Sequence, residues 1–91
     1  MEFEFDVAKN RANLTEHGID LQDAALVFVD EHRLDIVDDR KNYGEPRRIV
    51  VGEVVGRVWV VVYTVRGGVH RLISARKANE REQRRYQALR D

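Results

Sequence analysis

The 91-residue sequence contains no cysteine, a single proline, no net charge and no long apolar run. Without cysteine, neither a disulfide framework nor a thiolate metal site can form, which suits a reducing compartment. The longest apolar run, VWVVVY at residues 58–63, is too short to span a bilayer. The N-terminal stretch MEFEFDVAKN has neither the basic nor the apolar region of a signal peptide. We therefore expect a cytoplasmic protein that has no membrane partner.

Motifs for metal and nucleotide chemistry are also missing. His17, His32 and His70 are far apart in the chain and form neither HxxxH nor HExxH. There is no G-x-S-x-G, P-loop or dinucleotide-binding motif. Any catalysis by this chain is therefore expected to need no metal ion and no cofactor.

The net charge of zero conceals a separation of charge along the chain. Residues 1–45 carry 5 Lys/Arg and 12 Asp/Glu, a net charge of −7, whereas residues 46–91 carry 11 Lys/Arg and 4 Asp/Glu, a net charge of +7. A basic half of this kind suits a polyanionic partner such as a nucleic acid. It is equally consistent with two halves that attract each other within the fold.

The patterning predicts one α+β domain over residues 1–91, with helices packed on a small, mainly antiparallel sheet. The expected element order is β-α-α-β-β-β-β-α. Asp6 and Asp20 are expected to cap the first two helices, and Asn79 with Glu82 fits a capping box for the last. Gly67-Gly68 predicts a two-residue hairpin. Strands are expected at residues 2–5, 33–37, 47–54, 57–65 and 69–76.

The hairpin determines where the basic residues of its strands point. A two-residue turn at Gly67-Gly68 pairs Thr64 with Arg71 and Trp59 with Arg76. In a regular strand Arg71 and Arg76 then lie on opposite faces of the sheet. Only a β-bulge, or a site that wraps the sheet edge, would bring these two arginines together.

The preceding turn has a similar effect on two more arginines. If Val55-Gly56 is a two-residue turn, Arg47 lies in line with Arg71, and Arg48 lies next to Tyr63. A three-residue turn would reverse this assignment.

The two faces of the predicted hairpin differ in character. The face with Val60 and Thr64 is apolar apart from its Arg71 end, so we expect helices to cover it. The other face carries Trp59 and Tyr63 among polar and basic groups, and such a mixture of rings and guanidinium groups suits unpaired RNA. Alternatively, these aromatic rings pack on the last helix.

Three polar residues share one face of the first helix. Lys9, Asn13 and His17 are spaced at i, i+4 and i+8, and His17 lies in the last turn. A histidine that titrates near neutral pH is the usual proton carrier for RNA cleavage through the 2′-hydroxyl. The alternative is that Lys9 and Asn13 are solvated and that His17 caps the helix carbonyls.

Three groups of residues resemble the BrnT family, and together they cover nearly the whole chain. The opening FDxxKxxxNxxxHG consists of Phe5, Asp6, Lys9, Asn13, His17 and Gly18. The central ExRxxxxG consists of Glu45, Arg47 and Gly52. The closing RxISARxAxxxExxxY consists of Arg71, Ile73, Ser74, Ala75, Arg76, Ala78, Glu82 and Tyr86. Two positions depart from the usual pattern: Phe5 replaces Trp, and Glu16 replaces Lys, which lowers the positive charge beside His17.

This resemblance implies a toxin of a bacterial type II toxin–antitoxin pair with a RelE-like fold. Such a toxin is a ribonuclease that inhibits translation, and a DNA-binding antitoxin, BrnA, neutralises it. The expected partners are therefore an RNA substrate and a BrnA-like ribbon-helix-helix antitoxin, with operator DNA bound only through the complex of the two proteins.

We accordingly expect a metal-independent endoribonuclease. Arg71 and Arg76, followed by Arg47, would neutralise charge on the phosphate oxygens. His17 is the expected general acid or base, with Lys9 near it and Glu45 as a weaker base, whereas Glu82 caps the last helix. The expected RNA-binding residues are Trp59, Tyr86, Arg48, Tyr63, Arg81 and Arg85. Two other functions stay open: a non-catalytic RNA- or ribosome-binding module, and a corepressor that acts only beside its antitoxin.

Overall fold

The computed structural model describes residues 1–90, which form a five-stranded sheet with helices on both faces. The predicted α+β class and element order are confirmed. A short 3-10 helix directly continues the second α-helix. The elements are β1 (Glu2–Glu4), α1 (Val7–His17), α2 (Leu21–Ala24), the 3-10 helix (Ala25–Val29), β2 (Leu34–Asp38), β3 (Arg47–Val54), β4 (Arg57–Arg66), β5 (Val69–Lys77) and α3 (Glu80–Arg90). Within residues 1–90, no helix combines the length and the apolar character needed to cross a membrane.

The helix boundaries follow from the capping residues in the sequence. The Asp6 carboxylate accepts a hydrogen bond from the Lys9 backbone N–H at 2.9 Å and starts α1. Gly18 ends α1 with a positive φ of 75°, a conformation that glycine adopts without steric cost. The predicted capping box of α3 is confirmed, because Asn79 and Glu82 each accept a hydrogen bond from the other's backbone N–H.

The strand order in the sheet is β1-β5-β4-β3-β2, and only the β1–β5 pair is parallel. The β4–β5 hairpin has the predicted two-residue turn, in which Gly67 and Gly68 both have positive φ values. The β3–β4 turn at Val55-Gly56 also has two residues, which places Arg48 opposite Tyr63 as expected.

A β-bulge in β5 changes the register of the hairpin. Tyr63 pairs with Leu72, but the preceding residue of β4, Val62, pairs with Ser74, so Ile73 is the extra residue. Arg76 therefore lies opposite Val60, and the predicted pairing of Arg76 with Trp59 is wrong.

The bulge also decides on which face the two arginines of β5 lie. Arg71 pairs with Thr64 and Arg76 pairs with Val60. Thr64 and Val60 are four residues apart on β4 and therefore point to the same face of the sheet. The bulge thus brings Arg71 and Arg76 onto one face, as the sequence required for a shared site.

The face that the first helices cover is the one with the aromatic residues, which reverses our expectation. Trp59, Val61 and Tyr63 pack under α2 and the 3-10 helix, together with Leu21 and Val27. The large rings bury more apolar area than the valines of the opposite face, which favours this choice.

Close packing of the 3-10 helix on this face depends on a glycine. Gly52 lies opposite Trp59, and a Cβ atom at Gly52 would lie 3.1 Å from the Cβ atom of Val27. The missing side chain therefore lets the 3-10 helix approach the backbone of β3.

The opposite face of the sheet is only partly covered. Here Val51, Val58 and Val60 form a second core with Ala78, which directly follows β5, and with Tyr86 of α3. The rest of this face carries the arginines described below, and we call it the arginine face.

Candidate functional site

The arginine face collects basic side chains from three strands. β5 contributes Arg71 and Arg76, β4 contributes Arg66, and β3 contributes Arg47, which pairs with Asp38 of β2. The β4–β5 hairpin brings Arg66 close to Arg71, and the register of β3 on β4 adds Arg47, which is distant in sequence. Each of them lies near a carboxylate or an aromatic ring that fixes its position.

One cluster lies at the end of the face next to the β4–β5 hairpin. The Arg66 guanidinium donates to both carboxylate oxygens of Glu45, at 3.0 and 2.8 Å. Arg71 lies 3.4 Å from the carboxylate of Glu4 on β1. The hydrogen bonds from Arg66 lower the pKa of Glu45, with smaller contributions from the charges of Arg47 and Arg71. A carboxylate held ionised in this way is a weak proton acceptor, which argues against Glu45 as the principal base.

Arg47 occupies the same end of the arginine face. Its guanidinium carbon lies 4.1 Å from the centroid of the Tyr43 ring, which gives a cation–π contact. Its Nε atom is buried and has no hydrogen-bond partner within residues 1–90. Thr64 beside it donates its hydroxyl hydrogen to the Pro46 carbonyl.

A second feature, which we call the arginine cleft, lies between α3 and strands β2 to β4. It is a cavity of about 410 Å³ with an apolar floor. Arginines stand around its rim, together with two acidic residues. The floor consists of Leu34, Ile36, Ile49, Val51 and Val60, and the rim consists of Arg33, Asp35, Arg40, Arg76, Glu82 and Arg85.

Carboxylates hold two of these rim arginines in fixed positions. Arg76 donates to both oxygens of Glu82, each at 2.8 Å, and Arg40 donates to both oxygens of Asp38, at 2.8 and 2.9 Å. The Arg40 hydrogen bonds lower the pKa of the buried Asp38 to about 2. The pKa of Glu82 is lowered for the same reason by Arg76. Glu82 therefore caps α3, as expected, and also positions Arg76.

A third feature, the edge groove, lies where β5 continues beyond the short β1. It is a cavity of about 420 Å³ lined by Glu16, His17, Gly18, Arg76 and Lys77. The His17 Nε2 atom lies 3.7 Å from a carboxylate oxygen of Glu16. Because Arg76 lines both this groove and the arginine cleft, it connects His17 with the arginine face.

The polar residues on one face of α1, Lys9, Asn13 and His17, differ in their surroundings. Asn13 is only 6% exposed, donates to the Ile19 carbonyl and accepts from the Ala75 backbone N–H, both at 3.0 Å. Lys9 is exposed, one helical turn earlier. Asn13 therefore joins α1 to the sheet, whereas His17 lines the edge groove together with Arg76.

The aromatic residues expected to stack on RNA bases are buried. Trp59 is 7% exposed, Tyr63 3% and Tyr86 1%, so the expectation of open rings at these positions is wrong. Burial, with hydrogen bonds to Asp35 and Asp30 respectively, raises the pKa of each tyrosine to about 12. These rings fill the two cores and present no face to a base.

The remaining predicted arginines divide between the two faces and α3. Arg48 donates to Asp35 at 2.8 Å from the helix-covered face, away from Arg47. Arg85 lines the arginine cleft, whereas Arg81 is exposed on α3. Sequence reasoning missed Arg40, although the D-x-R spacing of Asp38 and Arg40 at the end of a predicted strand was a usable signal.

The described part of the chain has no cluster of potential metal ligands. Within residues 1–90, no three histidine, aspartate or glutamate side chains converge on a point where they could hold an ion.

Comparison with protein families gives one match. A family model described as "Ribonuclease toxin, BrnT, of type II toxin-antitoxin system" matches residues 5–82. The matched range contains His17, Arg40, Arg71, Arg76 and Glu82. Among curated proteins, no sequence matches the chain.

Proposed function

Because the chain belongs to the BrnT family of ribonuclease toxins of type II toxin–antitoxin systems, we propose that it is a metal-independent endoribonuclease whose RNA substrate lies on the arginine face. The family implies an antitoxin partner and an RNA substrate. The observation that carries the proposal is the β5 bulge, since Arg71 and Arg76 lie on one face of the sheet because of it. Arg76 in turn lines the edge groove together with His17. Cleavage of RNA would inhibit translation.

The proposed reaction uses the 2′-hydroxyl of the RNA as nucleophile. A base takes the 2′-hydroxyl proton while its oxygen attacks the adjacent phosphorus. The bond from phosphorus to the 5′-oxygen breaks, and an acid protonates that oxygen. The products are a 2′,3′-cyclic phosphate and a free 5′-hydroxyl. Guanidinium groups stabilise the additional negative charge on the phosphate oxygens in the transition state.

Arg76 is the best-placed residue for this stabilisation. Its guanidinium gives one hydrogen bond to each Glu82 oxygen and one to the Lys77 carbonyl. The Nε hydrogen and one Nη2 hydrogen then remain for a phosphate oxygen. Because Glu82 already orients the guanidinium, little side-chain freedom is lost when the phosphate binds.

Arg71 would contact a different phosphate of the same strand. Its β4 partner lies four residues from that of Arg76, which corresponds to about 13 Å along the strand. Arg47 and the hairpin cluster would extend the basic path beyond Arg71.

His17 is the proposed acid or base, since it shares the edge groove with Arg76. Imidazole can both accept and donate a proton near neutral pH, as this reaction requires. Lys9 lies on the same helix and would add positive charge beside the strand, while Glu45 is the weaker candidate for the base.

We further propose that a BrnA-like ribbon-helix-helix antitoxin inhibits by covering the arginine face. An acidic segment would occupy the same positive surface as RNA and exclude it. Operator DNA would then be bound only by the complex of toxin and antitoxin.

The test is RNA cleavage by the purified chain in the presence of EDTA, with mapping of new 5′ ends after induction in a bacterial host. We expect Arg76→Ala to lower the cleavage rate by about 100-fold or more. His17→Ala should lower it by a similar factor. Arg84→Ala is the matched control, because Arg84 is an exposed α3 arginine whose ion-pair partner within residues 1–90 is Glu80. It should change the rate less than twofold.

The alternative functions give different results in the same experiment. Growth arrest without new 5′ ends would contradict cleavage and favour a non-catalytic RNA- or ribosome-binding module. No arrest at good yield of folded protein would favour a corepressor that acts only beside its antitoxin. Equal rates for Arg76→Ala and Arg84→Ala would remove Arg76 from the site.

A further inference from the structure

The arginine cleft differs from the rest of the arginine face because it has an apolar floor. Ile49 and Val60 come from adjacent central strands, and Leu34 and Ile36 from the edge strand β2. A phosphate needs no such floor, since it is bound by guanidinium groups and backbone N–H groups alone. The volume of about 410 Å³ lies in the range of small-ligand sites.

The charge around the cleft indicates an anionic ligand. Four arginines line it together with two acidic residues. The Asp35 carboxylate accepts a hydrogen bond from Arg48 on the opposite face, and the Glu82 carboxylate accepts from Arg76. A ligand with a planar, largely apolar group and an adjacent negative charge matches the apolar floor and the basic rim of the cleft. A single nucleotide of unpaired RNA has that composition, with a planar base and a phosphate on either side.

Arg40 is an exposed cation at this cleft whose position is fixed by a buried carboxylate. Its side chain is 63% exposed, whereas the carboxylate of Asp38 that holds it is fully buried. Asp38 accepts from Nε and Nη2 of Arg40 and also from the Tyr43 hydroxyl at 3.2 Å. The outer edge of the guanidinium, formed by Nη1 and the second Nη2 hydrogen, remains open for two parallel hydrogen bonds.

That open edge matches a particular base edge. Two parallel donors on one guanidinium bind two adjacent acceptors, which guanine offers at O6 and N7 and an unpaired cytosine offers at N3 and O2. Of these two bases guanine, a purine, has the larger planar face for the apolar floor of the cleft. Adenine presents an acceptor and a donor at the equivalent positions, so it would leave one donor of Arg40 unpaired.

We propose that the arginine cleft binds one unpaired base of the RNA, and that Arg40 makes guanine the preferred base. This inference rests on the proposed function, because it concerns the RNA that the arginine face would cleave. Arg76 and Arg85, which also line the cleft, bind the flanking phosphates. Arg40 is thus a specificity-determining residue in addition to those expected from the sequence.

The experiment is methyl NMR of the full chain with four RNA tetranucleotides that differ in one central base. Their riboses carry 2′-O-methyl groups, which remove the nucleophile and prevent cleavage. We expect the guanine tetranucleotide to shift the methyl signals of Ile49 and Val60, and those of Val27 and Val61 on the other face to stay unchanged. Guanine should bind about tenfold more tightly than the other bases.

Two variants test the role of Arg40. Arg40→Lys keeps the positive charge beside Asp38 but has no flat fork, so it should still bind RNA and lose the preference for guanine. Arg40→Gln combined with Asp38→Asn avoids a buried unpaired carboxylate and should weaken binding at the cleft about tenfold or more. Arg84→Gln, outside the cleft, should leave affinity and preference unchanged.

The outcomes separate this inference from the proposed function. If wild-type protein cleaves RNA but no cleft methyl signal shifts, or if all four bases bind equally, the inference is overturned while the ribonuclease stands. If guanine RNA shifts the cleft signals but no RNA is cleaved, the cleft assignment stands and the proposed reaction fails. Cleft shifts caused by an oligoglutamate peptide and not by RNA would overturn the inference in favour of an acidic protein segment.

Discussion

Asn13 offers the sharpest test of how α1 is attached to the sheet. Its side chain satisfies the Ala75 N–H on the outer edge of β5 and the Ile19 carbonyl in the loop after α1. In Asn13→Ala both buried backbone groups lose their partner. Two net hydrogen bonds at about 1 kcal/mol each, together with the desolvation of unpaired groups, give an expected loss of about 3 kcal/mol. For a chain of this size that corresponds to a fall in Tm of about 12–24 °C.

Urea unfolding followed by circular dichroism measures this loss, and hydrogen exchange at the Ala75 amide reports the individual bond. The matched control is Lys9→Ala, on the same helix and exposed, which should change the free energy of unfolding by less than about 0.5 kcal/mol. If Asn13→Ala were as mild as Lys9→Ala, with the Ala75 amide still protected, the structural role assigned to Asn13 would be refuted.

Three further predictions concern turns, ionisation and packing. Val55 has a φ of 46° and is 95% exposed, and a β-branched residue is strained at this φ whereas asparagine tolerates it. Val55→Asn should therefore raise the urea midpoint by an amount equivalent to about 1 kcal/mol. The control Val29→Asn, at an exposed valine without positive φ, should not raise it. Because the pKa of Asp38 is lowered to about 2, its stabilising contribution is complete above about pH 4 and is lost as the pH falls towards 2. In Asp38→Asn the urea midpoint should therefore change less with pH between about pH 4 and 2 than in the wild-type protein. An equal change of the midpoint with pH in both proteins would contradict the assignment. Gly52→Ala should cost about 1–3 kcal/mol through contact with Val27, and the double variant with Val27→Ala should lose less than the sum of the two single losses.

The separation of charge along the chain has two consequences in the folded protein: ion pairs between the two halves, and a basic rim on the arginine face. Ion pairs join the acidic and basic halves, as between Arg66 and Glu45 and between Arg71 and Glu4. Arg85 of the basic half lines the open arginine cleft and has no carboxylate partner among the ion pairs of residues 1–90. The halves thus attract each other, and the arginine face still keeps a positive rim.

Local chemistry determined most of the secondary structure. Asp6, Asp20 and the Asn79–Glu82 pair define where helices begin, since a helix start needs acceptors for its unpaired N–H groups. The diglycine turn defines the β4–β5 hairpin, because both of its residues need positive φ. These features depend on residues only a few positions apart, so the sequence contains them in full.

The composition of the site was decided by tertiary structure. The bulge at Ile73 has no local sequence signal, yet it moves Arg76 to the face that carries Arg71. The face covered by α2 and the 3-10 helix is the one on which Trp59 and Tyr63 offer more apolar area than the valines of the arginine face. This choice depends on contacts between elements that are distant in the chain. The position of Arg40 beside Arg76 likewise arises only when β2 joins the sheet. The sequence by itself therefore determined the elements, their turns and the family resemblance, whereas sheet register and packing, which sum contacts over the whole chain, decided which charged groups meet.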